Sequence, residues 1–192
     1  PEDSSDFGPI LDPVKHRATE VKVPVRDPET PSSKTSLPMG APSPYWGEER
    51  IWDSQASVHN PMLDEKGRVW FTSRIRPRPT QPFCQEGSDH PYAKYFPLGQ
   101  SGRQASYYDP AREAFALIDT CFGTHHLQFA DDTNDTLWLS GDVNVVGWLN
   151  TKMYDETGDE RASQGWCPTV LDTNGDGRIT KPWNEPTEAG DV

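Results

Sequence analysis

One motif occurs twice in this chain, and it restricts the fold more than any other feature. The first copy runs from Asp53 through His59 to the turn Asp64-Glu65-Lys66-Gly67 and the run Val69-Trp70-Phe71-Thr72. The second runs from Asp119 through His125-His126 to the turn Asp131-Asp132-Thr133-Asn134-Asp135 and Leu137-Trp138-Leu139-Ser140. A repeat of short apolar runs broken by Asp/Asn/Gly turns means one small supersecondary unit used again, not two unrelated segments. Counted from the upstream aspartate, His59 matches His125. Counted to the downstream turn, His59 matches His126. Both alignments stay open.

Residues 60–64, 68–73, 104–108, 114–119, 127–130, 136–140 and 145–150 alternate or run apolar over strand lengths, with turn residues between them. No stripe of period 3.6 is long enough to predict a helix. The expectation is an all-β chain of antiparallel meanders. A weaker third copy starts at Trp166, with tryptophan in the histidine's place, and leads into Asp172-Thr173-Asn174-Gly175-Asp176-Gly177. The distance from first to second copy is about 67 residues, and a Pro- and charge-rich insertion at 75–102 accounts for its length. Residues 1–44 hold nine prolines and predict an extended arm, with residues 20–26 able to add an edge strand. The chain thus divides into an arm at 1–44 and β-rich repeats at 45–192.

The phrases HNPMLDEKGRVWFTS, SYYDPAREAFALID and HHLQFADDTNDTLWLS resemble blades of the virginiamycin B lyase-like (streptogramin lyase-like) β-propellers over roughly residues 50–180. The resemblance implies β-propeller blades. Closed propellers need at least about four blades, so two clear copies and one partial imply an incomplete ring: a fragment, or blades completed by other protein chains. In that family a histidine and glutamate cluster near the central channel binds magnesium and removes a proton. This chain has no His-x-Glu segment, so the resemblance carries the fold and leaves the catalysis to be argued from the residues.

His59, His125 and His126 begin successive copies and are the candidate catalytic residues, as ligands of a divalent metal or as a general base near neutral pH. Two adjacent histidines on a strand point to opposite faces, so one of His125 and His126 is expected to face a shared site. The loop from Asp172 matches the first nine positions of an EF-hand-type calcium site. Asp172, Asn174 and Asp176 supply oxygens, Arg178 a carbonyl and Thr180 the ninth position, while Trp183 stands where a bidentate glutamate closes the usual loop. Ca2+ there would stabilise structure. The acidic turn at 131–135 reads as solvated, and Arg74, Arg76 and Arg78 as paired with the chain's own carboxylates. Trp46, Trp52, Trp70, Trp138 and Trp148 read as sheet packing.

The net charge of −12 repels phosphate backbones, which excludes nucleic acid as a partner. No apolar run reaches the roughly 20 residues of a membrane span, and the chain begins at Pro1 without a leader, as after signal-peptide removal. Mean hydropathy is −0.81, so the 20 aromatics must supply much of the core. Three widely spaced cysteines, Cys84, Cys121 and Cys167, predict one disulfide and one thiol. With the calcium loop and a Trp- and Pro-rich composition, the expectation is a periplasmic or secreted binding or assembly module engaging other protein chains. The alternative is a metal-dependent lyase or hydrolase with a His-lined channel. The sequence names no small-molecule ligand.

Overall fold

The computed structural model describes residues 2–36, 44, 45, 47–141, 145–169 and 175. Among the described residues the protein is mainly β, with three antiparallel sheets and few helices. Its contacts divide it into two units, Pro1–Arg78 with Gly102–Asp119, and Pro79–Ser101 with Thr120–Val192. Among the described residues no helix is long and apolar enough to cross a membrane.

The first unit begins with a hairpin of β1 (Phe7–Asp12) and β2 (Arg17–Lys22). Asp12 makes the turn, its Oδ1 accepting the N–H groups of Val14 and Lys15 at 3.0 Å each. The proline-rich segment is therefore no simple arm. Pro9 is tolerated because a two-stranded sheet has only edge strands, where a missing N–H costs no ladder bond. The segment is also sewn to the rest of its unit. Asp6 accepts from Ser54 Oγ at 2.7 Å and Ala56 N at 2.8 Å, Ser33 Oγ donates to Asp3 O at 2.5 Å, and Val23 is buried. A single helical turn, α1 (Ser33–Ser36), follows.

Strands β3 (His59–Leu63), β4 (Val69–Ser73), β5 (Gln104–Asp109) and β6 (Ala114–Ile118) form a four-stranded antiparallel meander. Alternation along β4 sends Phe71 to one face, where it packs with Val23, Ala56 and Val58. Trp70 goes to the other, fully buried beneath Tyr107, with ring centroids 4.7 Å apart. Asp64 organises the β3–β4 turn. Its Oδ1 accepts from the backbone of Lys66 and Arg68 at 2.9 Å, while Oδ2 accepts from Arg68 Nε at 2.6 Å and Trp70 Nε1 at 2.8 Å. Burial pushes the Asp64 carboxyl up, but these bonds from Trp70 and Arg68 outweigh it and hold the group below the ordinary carboxylate value. Arg76 and Asp119 form a buried ion pair at 2.7 Å, and Arg74 lies 3.5 Å from Asp3. Both arginines thus pair within the chain, as expected.

In the second unit β7 (Leu127–Phe129), β8 (Thr136–Ser140), β9 (Val145–Asn150) and β10 (Gln164–Pro168) repeat the meander. The two clear sequence copies therefore occupy the first two strands of two like sheets. The third does not, since Trp166 lies on β10, the last strand of the second sheet, paired with Gly147. Its absent histidine accordingly says nothing about the first-strand position. Between β9 and β10 lies α2 (Thr151–Thr157), a helix the sequence pattern did not predict. Asn150 caps it by accepting from Met153 N at 3.0 Å, and Gly158, at φ 67°, ends it.

The core of this sheet is Leu137, Leu139, Leu149, Phe122 and Trp166. Gly147 is required there, because a Cβ on it would fall 2.2 Å from the Phe122 ring. The insertion covers the unit: Cys84 is disulfide-bonded to Cys121, the His90 ring stacks on Trp166 at 4.9 Å, and Trp166 Nε1 donates to Phe96 O at 2.8 Å. Cys167 is the exposed thiol.

Candidate functional site

His59 opens β3, facing Thr72 across the ladder, and the chain then leaves regular register before Met62. Asn60, at φ 53°, takes up the irregularity. A backbone bridge between Glu2 and Val58 brings the Glu2 carboxylate to 2.5 Å from His59 Nδ1. A carboxylate on Nδ1 selects the tautomer with the proton there and makes Nε2 the basic nitrogen. Arg103 lies nearby, donating from Nε and Nη2 to Ser57 O and Oγ at 2.9 Å, with Nη2 4.0 Å from Glu2 Oε1.

This polar edge borders an apolar pocket of about 390 Å³. Val21, Val23, Val58, Phe71, Tyr108 and Phe115 line it, together with Ile10 from the hairpin. Apolar walls with a few convergent polar groups are the usual make-up of a ligand pocket. Sequence reading found His59 but not its acidic partner, which sits 57 positions upstream in the proline-rich segment. That pairing follows from the tertiary Glu2–Val58 bridge, which no local pattern signals.

His125 and His126 lie in the second unit, just before β7. Their arrangement overturns the expectation of opposite faces. His125 N donates to Ser140 O at 2.8 Å, while Ser140 N donates to His126 O at 3.0 Å. Two residues thus oppose one, a bulge that breaks strand alternation. The two imidazoles lie together, with ring centroids 4.2 Å apart. The bulge also accounts for the two rival alignments, since His125 and His126 share the place across from Ser140 that His59 alone holds across from Thr72. The turn is capped by Asp132, whose Oδ1 accepts from Asn134 N at 3.0 Å and Thr136 N at 3.1 Å. These bonds, led by that from Thr136, hold Asp132 below the ordinary carboxylate value. Lys152 Nζ donates to Thr133 O at 2.7 Å, so the acidic turn is bonded within its own unit.

Asp172, Asn174, Asp176, Arg178 and Thr180, the expected calcium ligands, lie outside the described residues, as does Trp46. The remaining tryptophans divide. Trp70 is packed as expected, but Trp52 and Trp138 are each 41% exposed and Trp148 is only half-buried. Trp52 and Trp138 are thus less buried than sheet packing predicts, while Trp148 packs against Trp138 and Tyr92.

His90, not singled out from sequence, is buried. Its Nε2 is 3.1 Å from Arg161 O, and Nδ1 accepts from Tyr92 N at 3.3 Å. Burial lowers its pKa below the ordinary 6.5. It borders a second cleft, of about 470 Å³, lined by Tyr92, Trp148, Asn150, Met153, Asp159 and Arg161 among others. Comparison with known family models, with curated proteins and with solved structures finds no match.

Proposed function

We propose that this chain is an exported binding module built of β-propeller-type blades, whose first unit receives an apolar group of a partner. The observation that carries the reading is the 390 Å³ apolar pocket with the Glu2–His59 pair at its edge. Two four-stranded antiparallel meanders with the sequence copies on corresponding strands support the blade reading, and the disulfide supports export. The resemblance to virginiamycin B lyase-like propellers belongs to the same proposal, as does a ring completed by other chains. Ca2+ is assigned to the Asp172–Thr180 loop on its sequence pattern alone.

Binding of the neutral dye Nile red to the purified chain tests the pocket. Saturable binding is expected, lost in Ile10→Glu, which puts a charge on a pocket wall at a side chain already 38% exposed. Dye binding that is unsaturable, or unchanged by Ile10→Glu, would overturn the reading.

A metal-dependent lyase or hydrolase is the second reading. It is favoured by one observation: Glu2 supplies the acidic partner that a histidine base needs. His125 and His126, brought side by side, suit a divalent metal. Metal analysis separates the two. Magnesium or a transition metal lost in His59→Ala favours the enzyme, whereas calcium lost only in Asp176→Ala favours the module.

A further inference from the structure

We propose that the second unit binds a neutral glycan, stacked along Trp138, Trp148 and Tyr92 and hydrogen-bonded in the adjoining cleft by Asn150 and Asp159. The register places the aromatic row. Gln128 pairs with Trp138, Trp138 with Trp148, and Trp148 with Gly165, so these four residues form one line across all four strands. They share the face opposite Leu137, Leu139 and Trp166, because neighbours along a strand alternate. Trp138 and Trp148 have centroids 5.5 Å apart, and Tyr92 meets Trp148 edge-on at 4.9 Å.

Gly165 shows that the rings are seated deliberately low. A Cβ there would lie 2.4 Å from Trp148 Cζ2 and 2.5 Å from Tyr92 Cε2. The two rings occupy the space of a missing side chain, at a strand position where glycine is otherwise unfavourable. The result is a half-exposed aromatic surface that the core does not need, since Phe122, Trp166 and three leucines already fill the other face.

The cleft beside it, at about 470 Å³, falls within the range of ligand pockets. Asn150 uses Oδ1 to cap α2, and Asp159 uses Oδ1 to accept from Ala162 N at 3.0 Å. The amide nitrogen of the first and the second oxygen of the other remain for a ligand's hydroxyls. Sugars fit this combination, offering apolar C–H faces to rings and paired hydroxyls to planar polar groups. Charge decides against the stacked alternative, a nucleic acid. The chain carries −12, and the cleft's Arg161 is already paired with Asp89 at 2.5 Å. This site is independent of the first unit's pocket.

Native electrophoresis of the full chain through gels containing a soluble β-glucan, a xylan or a galactomannan tests the proposal, with titration of the matching hexasaccharide by tryptophan fluorescence. Retardation by at least one polysaccharide is expected, weakened about tenfold by Trp138→Ala and by Asp159→Ala and unchanged by Ile10→Glu. Both informative side chains are exposed. Because Asp159 Oδ1 also holds Ala162 N, Asp159→Asn, which keeps that oxygen, is compared with Asp159→Ala and is expected to weaken binding as well. Lack of retardation by all three, or retardation unaffected by Trp138→Ala, would overturn it. So would binding of a proline decapeptide through Trp138 in place of any glycan.

Discussion

Asp64→Ala is expected to be among the most damaging single changes in the first unit. The side chains of Asp64 and Arg68 are 7% and 9% exposed, and Trp70 is fully buried. Removing the carboxylate breaks four hydrogen bonds. The two backbone donors lie in a turn and can pass to water, which makes their loss small. Arg68 Nε and Trp70 Nε1 lose the carboxylate in a buried setting, where breaking such a pair costs about 3–5 kcal/mol. With a urea dependence near 2 kcal/mol/M, the midpoint should fall by about 2 M. The indole N–H signal of Trp70 in a urea titration reports this directly. Asp64→Asn keeps one oxygen and should lose about half as much. Because the carboxyl is held below 3.8 when folded, its contribution is present above that pH and disappears as acid protonates it. A destabilisation under about 1 kcal/mol for Asp64→Ala would refute the reasoning.

Replacing both Cys84 and Cys121 by alanine opens a loop of sequence separation 37 and should cost the second unit about 4 kcal/mol, read from urea midpoints. Native alkylation should label one thiol per chain, that of Cys167. His90 is held neutral by burial with a pKa below 6.5, so the unfolded chain takes up a proton first as pH falls. Stability of the second unit should therefore decline below 6.5, and His90→Gln should flatten that decline in urea midpoints measured across pH.

The strands were legible because apolar alternation and turn residues act over a few positions. The boundaries predicted for β3 to β9 agree with the structure to within a residue. The β1–β2 hairpin was hidden by Pro9 and Pro13, whose meaning depends on whether a neighbouring strand needs their N–H. α2 is seven residues, too short for a periodic stripe, and only Asn150 and Gly158 mark its ends.

By itself the sequence determined the repeat, an aspartate-led turn ahead of a strand tryptophan, at Asp64 with Trp70 and at Asp131 with Trp138. The structure shows Asp64 and Asp132 capping the two turns, each six residues before its tryptophan. Those interactions are local, so spacing alone specifies them. Tertiary structure decided what each copy does with its tryptophan. In the first, the Arg68 guanidinium lies 4.4 Å from the Tyr107 ring and shares Asp64 with Trp70, and the indole is buried. In the second, Thr136 stands where Arg68 does and Trp148 where Tyr107 does, and Trp138 is left 41% exposed. His59 likewise meets Glu2, 57 positions upstream, only because the Glu2–Val58 bridge lays the two segments side by side. Burial and pairing across such distances depend on which surfaces meet, and that is written in no local pattern.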